Sequence, residues 1–170
     1  MKKIQITKKK AISWGIQLLI FIGIFYGVSK WQSRNLLPEK TSAPDFTLKS
    51  LSNKDFSLSD QKGKKIVLYF FSPWCTVCKL SSGNIVELRK DRSKDKVAIF
   101  AIGQSYRNVD EVKGFVKKHK LNVPVLLGNR SISSDYKISA FPTIYIIDEH
   151  GKVKDRVVGY TTEIGLKLRL

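Results

Sequence analysis

Apolar positions along this chain follow three rhythms, and each predicts a different kind of element. Residues 11–29 form a run without a single charge. As a helix it reaches about 28 Å at 1.5 Å per residue, close to the hydrocarbon thickness of a bilayer. Asp45-Phe46-Thr47-Leu48 and Asp55-Phe56-Ser57-Leu58 alternate polar with apolar around Ser52-Asn53-Lys54, which predicts a small β-hairpin. Residues 66–71 and 97–102 are continuous apolar runs, the pattern of strands covered on both faces. From Val109 onward, Val112, Phe115 and Val116 recur at helical spacing, with Lys113, Lys117, Lys118 and Lys120 facing away.

Further along, a strand is predicted over residues 123–127, and a brief irregular or helical stretch ends at Tyr136 to Ile138. Ile144-Tyr145-Ile146-Ile147 then leads through the turn Asp148-Glu149-His150-Gly151 into a strand over 153–158, and Thr161-Thr162-Glu163 opens a short last helix. Strands alternating with helices and closed by a hairpin make an α/β fold with a mixed central sheet flanked by helices. The chain has room for one domain of ordinary size plus an attachment segment. Its organisation reads as a basic N-terminus (1–10), a transmembrane anchor (11–29), a polar linker with two prolines (30–44) and a folded domain (45–170). Neither a repeat nor a low-complexity tract is present.

Charge gives the anchor a direction. Met1 to Lys10 holds five lysines and no acid, outweighing Lys30 and Arg34 on the other side, so the N-terminus is expected to stay cytoplasmic while the domain crosses the membrane. Trp14, Tyr26 and Trp31 lie near the ends of the run, where amphipathic aromatics prefer the headgroup level. A cleaved signal peptide is the rival reading. Its apolar region is shorter and ends in a small-x-small site, which is not seen before Lys30. An uncleaved single-pass anchor in a bacterial inner membrane, with the domain on the extracytoplasmic (periplasmic) side, is therefore favoured. Residues 41–170 carry 23 basic against 13 acidic residues, a net +10. Those lysines are scattered and accompany no nucleic-acid motif, so the basic surface suits the vicinity of an anionic membrane or acidic partners rather than nucleic acid.

Both cysteines of the chain sit in Trp74-Cys75-Thr76-Val77-Cys78, directly after the apolar run at 66–71. Three residues apart on the first turn of a helix, two sulfurs can reach bonding distance without distorting the backbone. At a helix N-terminus, unpaired amides and the helix dipole favour thiolate and lower a cysteine pKa from about 8.5 to roughly 3.5–7.5. This points to thiol–disulfide exchange, with Cys75 as nucleophile and Cys78 as resolving thiol. A structural disulfide closing so short a loop restrains little of the unfolded chain. Half of a zinc site needs two more ligands, and only His119 and His150 remain, at no metal spacing. Both histidines read as surface residues. The helix carrying the cysteines is expected to bend or break near Ser81-Ser82-Gly83 and resume through Ile85, Val86 and Leu88.

Four features taken in order carry a family resemblance: Ala43-Pro44-Asp45-Phe46, Trp74-Cys75-Thr76-Val77-Cys78, a βα insertion ending in Leu121-Asn122-Val123-Pro124-Val125, and Ala140-Phe141-Pro142-Thr143. From about Ala43 to Thr162 the chain resembles a membrane-anchored thioredoxin-fold protein of the TlpA/ResA-like thiol–disulfide oxidoreductase type. The Cys-x-Val-Cys loop is similar to the copper-sensitivity-suppressor branch. That resemblance implies a cis peptide before Pro142, lying against the cysteines, at a cost of about 0.5–1 kcal/mol for an X–Pro bond. It also implies substrate-binding roles for Trp74, Phe141 and Pro142, protein thiols or disulfides as substrates, no cofactor or metal, and a membrane electron-donor protein. The chain departs from the family at Val77, often proline, at Ser81, often glutamate, and at Tyr69, where cytosolic thioredoxins hold a buried aspartate. No carboxylate is obviously placed to take a proton from the buried thiol.

The expected function is a thiol–disulfide oxidoreductase, more in the sense of a reductase. A peroxiredoxin-like thiol peroxidase is the alternative within the same fold, although Pro73, Thr76 and Cys78 are spaced one residue short in each gap of its pattern. A non-enzymatic copper-handling protein is the other, although it usually separates its cysteines by three residues and adds a late histidine.

Overall fold

The computed structural model describes residues 8–91 and 96–170. It divides into two units, Met1–Arg34 and Asn35–Leu170. The first holds helix α1 (Lys8–Ser33), whose described apolar side chains, among them Trp14, Leu18, Leu19, Phe21 and Ile24, are exposed. The expected basic segment 1–10 falls largely outside the described residues. Among those described, no helix is long and apolar enough to cross a membrane. The side chains at 8–12, 22, 25, 26 and 29–32, and with them part of the uncharged run at 11–29, lie outside that set.

The second unit is built on five strands: β3 (Lys65–Phe71), β4 (Val97–Gly103), β5 (Val125–Leu127), β6 (Thr143–Ile147) and β7 (Val153–Val158). Their spatial order is β5-β4-β3-β6-β7. β4 lies parallel to β3 and β5, whereas β6 is antiparallel to β3 and to β7. This is the mixed sheet expected from the pattern, and β3 is central because no residue from Ile66 to Phe71 faces water.

Side chains of a strand alternate between faces, and β3 divides its apolar run accordingly. Val67, Tyr69 and Phe71 pack with residues of α2 (Thr76–Asp91) and α3 (Val109–His119), including Cys78, Ile85, Leu88, Val112 and Phe115. Ile66, Leu68 and Phe70 pack on the other face with Leu48, Tyr136 and Tyr145. Each such side chain contributes about 1.5–3 kcal/mol by leaving water, so these two layers hold the sheet in place.

The hairpin β1 (Thr47–Lys49) and β2 (Asp55–Ser57) forms as the alternation implies. Its far end is pinned to β5 by the Leu51 amide donating to the Val125 carbonyl at 2.9 Å. Residues read as linker also engage the domain. Leu36 is buried, and the amides of Lys40 and Ala43 donate to Val153 and Gly151, covering part of an otherwise open sheet edge. The stretch before β6 contains the short helix α4 (Arg130–Asp135), and α5 (Glu163–Arg169) follows β7.

One expectation is corrected. α2 runs unbroken for 16 residues through Ser81-Ser82-Gly83. Both serines are buried and turn their hydroxyls back onto the helix, Ser81 to the Cys78 carbonyl at 3.3 Å and Ser82 to the Lys79 carbonyl at 2.9 Å. A lone glycine costs about 1 kcal/mol relative to alanine in a helix, less than the burial of Cys78, Ile85 and Leu88 on the same helix returns.

Candidate active site

β3 ends at Phe71, Ser72-Pro73-Trp74 turns the chain, and α2 starts at Thr76. Cys75 therefore occupies the position just before the helix, held by its amide donating to the Ser72 carbonyl at 3.1 Å. Its sulfur sits where a capping oxygen usually sits, accepting the Cys78 backbone N–H at 3.0 Å. Four amides at a helix start lack partners within the helix, and one of them here points at the sulfur. An amide donor and the positive end of a 16-residue helix favour an anionic sulfur at this point. Cys75 and Cys78 are joined as a disulfide, with Cα atoms 5.2 Å apart. Cys75 keeps 6% exposure while Cys78 has none, so an incoming sulfur can reach only Cys75.

Residues distant in sequence complete the site. The Phe141–Pro142 peptide is cis, and the Phe141 carbonyl oxygen lies 3.4 Å from the Cys75 sulfur. The ring of Phe141 meets that of Trp74 edge-on, with centroids 6.0 Å apart. Trp74 is exposed yet fixed, since its indole N–H donates to the Ser105 carbonyl at 3.0 Å. All five residues singled out from the sequence, Trp74, Cys75, Cys78, Phe141 and Pro142, thus meet in one place. Pro142 is itself tied to the segment after β7 by the Gly159 amide, which donates to its carbonyl at 2.8 Å.

Two further residues reach the site that the sequence marked only as departures from a family pattern. The Tyr69 hydroxyl donates to the Cys78 carbonyl at 3.0 Å and lies 2.9 Å from the Ser81 hydroxyl. Tyr69 is fully buried, and burial pushes its phenol far above the ordinary range, offset only in part by the Ser81 hydrogen bond. The polar support behind Cys78 is therefore a pair of neutral hydroxyls. Their signal in the sequence was the spacing: Tyr69 faces the α2 layer of β3, and Ser81 lies one helical turn beyond Cys78.

The two histidines stand apart from the disulfide chemistry. His150 is exposed in its turn, whereas His119 is half-buried with its ring 4.5 Å from that of Phe115. Its pKa is lowered by burial and by the positive charges of Lys118 and Lys79. Among the described residues, no group of three or more His, Cys, Asp or Glu side chains is arranged to hold a metal ion.

A dithiol or disulfide in this setting can exchange with another sulfur at Cys75 and close internally through Cys78. Comparison with known proteins agrees with that chemistry. Residues 40–156 match the AhpC/TSA family. The thioredoxin-like protein YneN of Bacillus subtilis (strain 168) is 33% identical over 162 residues, covering 92% of this chain and 94% of that one. The thiol-disulfide oxidoreductase ResA of the same organism is 30% identical over 166 residues, covering 96% and 90%. Among solved structures, a thiol:disulfide interchange protein of the thioredoxin family from Chlorobium tepidum TLS superposes with a TM-score of 0.70. At 23% identity, over 78% of this chain and 95% of that one, it shows that the fold is thioredoxin-like.

Proposed function

The chain belongs to the AhpC/TSA family and is a thiol–disulfide oxidoreductase; from there we propose that it is a membrane-anchored, extracytoplasmic reductase of protein disulfides. Cys75 is the attacking thiolate. It displaces one substrate sulfur as thiolate and forms a mixed disulfide. Cys78 then gives up its proton, attacks the Cys75 sulfur and releases the second substrate thiolate. Two electrons pass to the substrate, and the Cys75–Cys78 disulfide remains to be reduced by a membrane electron-donor protein.

The observation that carries this reading is the asymmetry of the pair: a slightly exposed sulfur capped by a helix amide, and a fully buried one behind it. The Phe141 carbonyl beside the Cys75 sulfur supports substrate docking in extended form, with Trp74 and Phe141 flanking the sulfur. Anchoring is supported by α1, whose uncharged run exposes apolar side chains around its circumference, a surface suited to lipid rather than water. The lysines ahead of that run support an extracytoplasmic location.

Replacing Cys78 with alanine should leave substrates trapped on Cys75 as mixed disulfides, visible as dithiothreitol-sensitive adducts. If none accumulates, exchange through Cys75 is wrong. The direction of flow is tested by equilibrating the pair against glutathione. A potential near or below about −250 mV fits a reductase, and one near about −120 mV would make the protein an oxidant.

A further inference from the structure

A groove of about 590 Å³ opens beside the disulfide, bounded by the end of β4, the segment into α4 and the loop before β6. Two of its walls belong to the site already described. Phe141, whose carbonyl touches the Cys75 sulfur, lines it, and so does Ser105, which holds the Trp74 indole. A volume of this size takes one or two residues of an extended chain.

The lining chemistry is one-sided. Among the described residues, Arg130 is the only charged one lining it, no carboxylate accompanies it, and Arg130 forms no ion pair. Deeper in the wall lies Gln104, 3% exposed, with a side-chain Nε2 that has no hydrogen-bond partner among the described residues. A buried donor left unmade is costly, and native proteins rarely tolerate one without a reason. The fold makes room for this amide. A Cβ at Gly128 would stand 2.3 Å from the Gln104 Nε2 and 2.7 Å from the Gly103 carbonyl oxygen. Tyr106 closes the same wall by donating its hydroxyl to the Gly128 carbonyl at 3.2 Å.

We propose that this groove is a specificity subsite for an acidic residue next to the redox cysteine of a protein substrate, with Arg130 facing the carboxylate and the Gln104 amide turning to donate to it. The inference rests on the exchange function above and adds the substrate feature that the site reads. A net charge of +10 over residues 41–170 favours the same sign of partner from a distance.

The test uses the full chain in detergent micelles, reduced, with synthetic disulfide-linked peptides carrying Glu, Ala or Lys one or two residues from the cysteine. Single-turnover oxidation is followed by tryptophan fluorescence. Each rate is divided by that of the same protein with hydroxyethyl disulfide, which is small and neutral. The Glu peptide is expected to react about two- to five-fold faster than the Lys peptide, the scale of a partly exposed ion pair, and 0.5 M NaCl should shrink the gap. Arg130→Glu should reverse the order and Gln104→Glu should reduce it. Equal rates for the three peptides, or a preference that survives both substitutions, overturn the subsite. Failure of the unsubstituted protein to react with hydroxyethyl disulfide would instead sink the exchange chemistry itself.

Discussion

Substituting Tyr69 and Ser81, singly and together, tests how the polar support behind Cys78 is built. Three contacts join these groups: Tyr69 hydroxyl to Cys78 carbonyl at 3.0 Å, Ser81 hydroxyl to the same carbonyl at 3.3 Å, and hydroxyl to hydroxyl at 2.9 Å. Two hydroxyls carry only two hydrogens, so only two of the three contacts are hydrogen bonds at any instant. Tyr69→Phe removes one hydrogen, and the remaining Ser81 hydroxyl turns to the carbonyl. Ser81→Ala removes the other, and Tyr69 keeps the carbonyl. Each single change therefore loses one bond, about 1 kcal/mol, and the double change loses both, about 2 kcal/mol. The stacked contact of the Tyr69 ring with Phe71, centroids 5.7 Å apart, survives in the phenylalanine variant. If all three contacts were independent bonds, each single change would cost about 2 kcal/mol and the pair about 3. Urea unfolding of the oxidised full chain in micelles separates the two cases, because the difference exceeds the usual additivity error of about 0.3–0.5 kcal/mol. Single losses near 2 with a strongly sub-additive double would refute the proton count.

Two other outcomes follow from particular contacts. Gly128→Ala sets a methyl against the Gln104 amide and the Gly103 carbonyl, and should lower unfolding stability by about 1–3 kcal/mol. An unchanged urea midpoint would mean the wall yields freely. His119 has its folded pKa lowered from 6.5 by burial, Lys118 and Lys79, so the folded state binds fewer protons than the unfolded chain. Its contribution is present above the unfolded pKa and is lost as pH falls through that value toward the folded one. The melting temperature should therefore drop between about pH 7 and 5, and His119→Gln should flatten that part of the curve.

The elements and the redox pair were legible in the sequence because both depend on neighbours within a few positions. Alternation at 45–48 and 55–58 produced the hairpin, the continuous run at 66–71 produced the central strand, and Cys75 and Cys78 meet because a helix brings positions three apart together. Local reading failed at Ser81-Ser82-Gly83, where weak propensities gave way to the buried face of α2. What surrounds the sulfurs was decided by strand pairing. β6 runs antiparallel to β3 with Phe70 opposite Thr143, so the residues just before β6 arrive beside those just after β3. That register alone carries Phe141, and Pro142 with it, to Cys75, 66 positions from Phe141 along the chain. The same long-range packing aligns Tyr69 under Ser81 and sets the Gln104 amide against Gly128. A sequence specifies such contacts only through the whole fold, since no local period relates a residue on one strand to the groove that another strand completes.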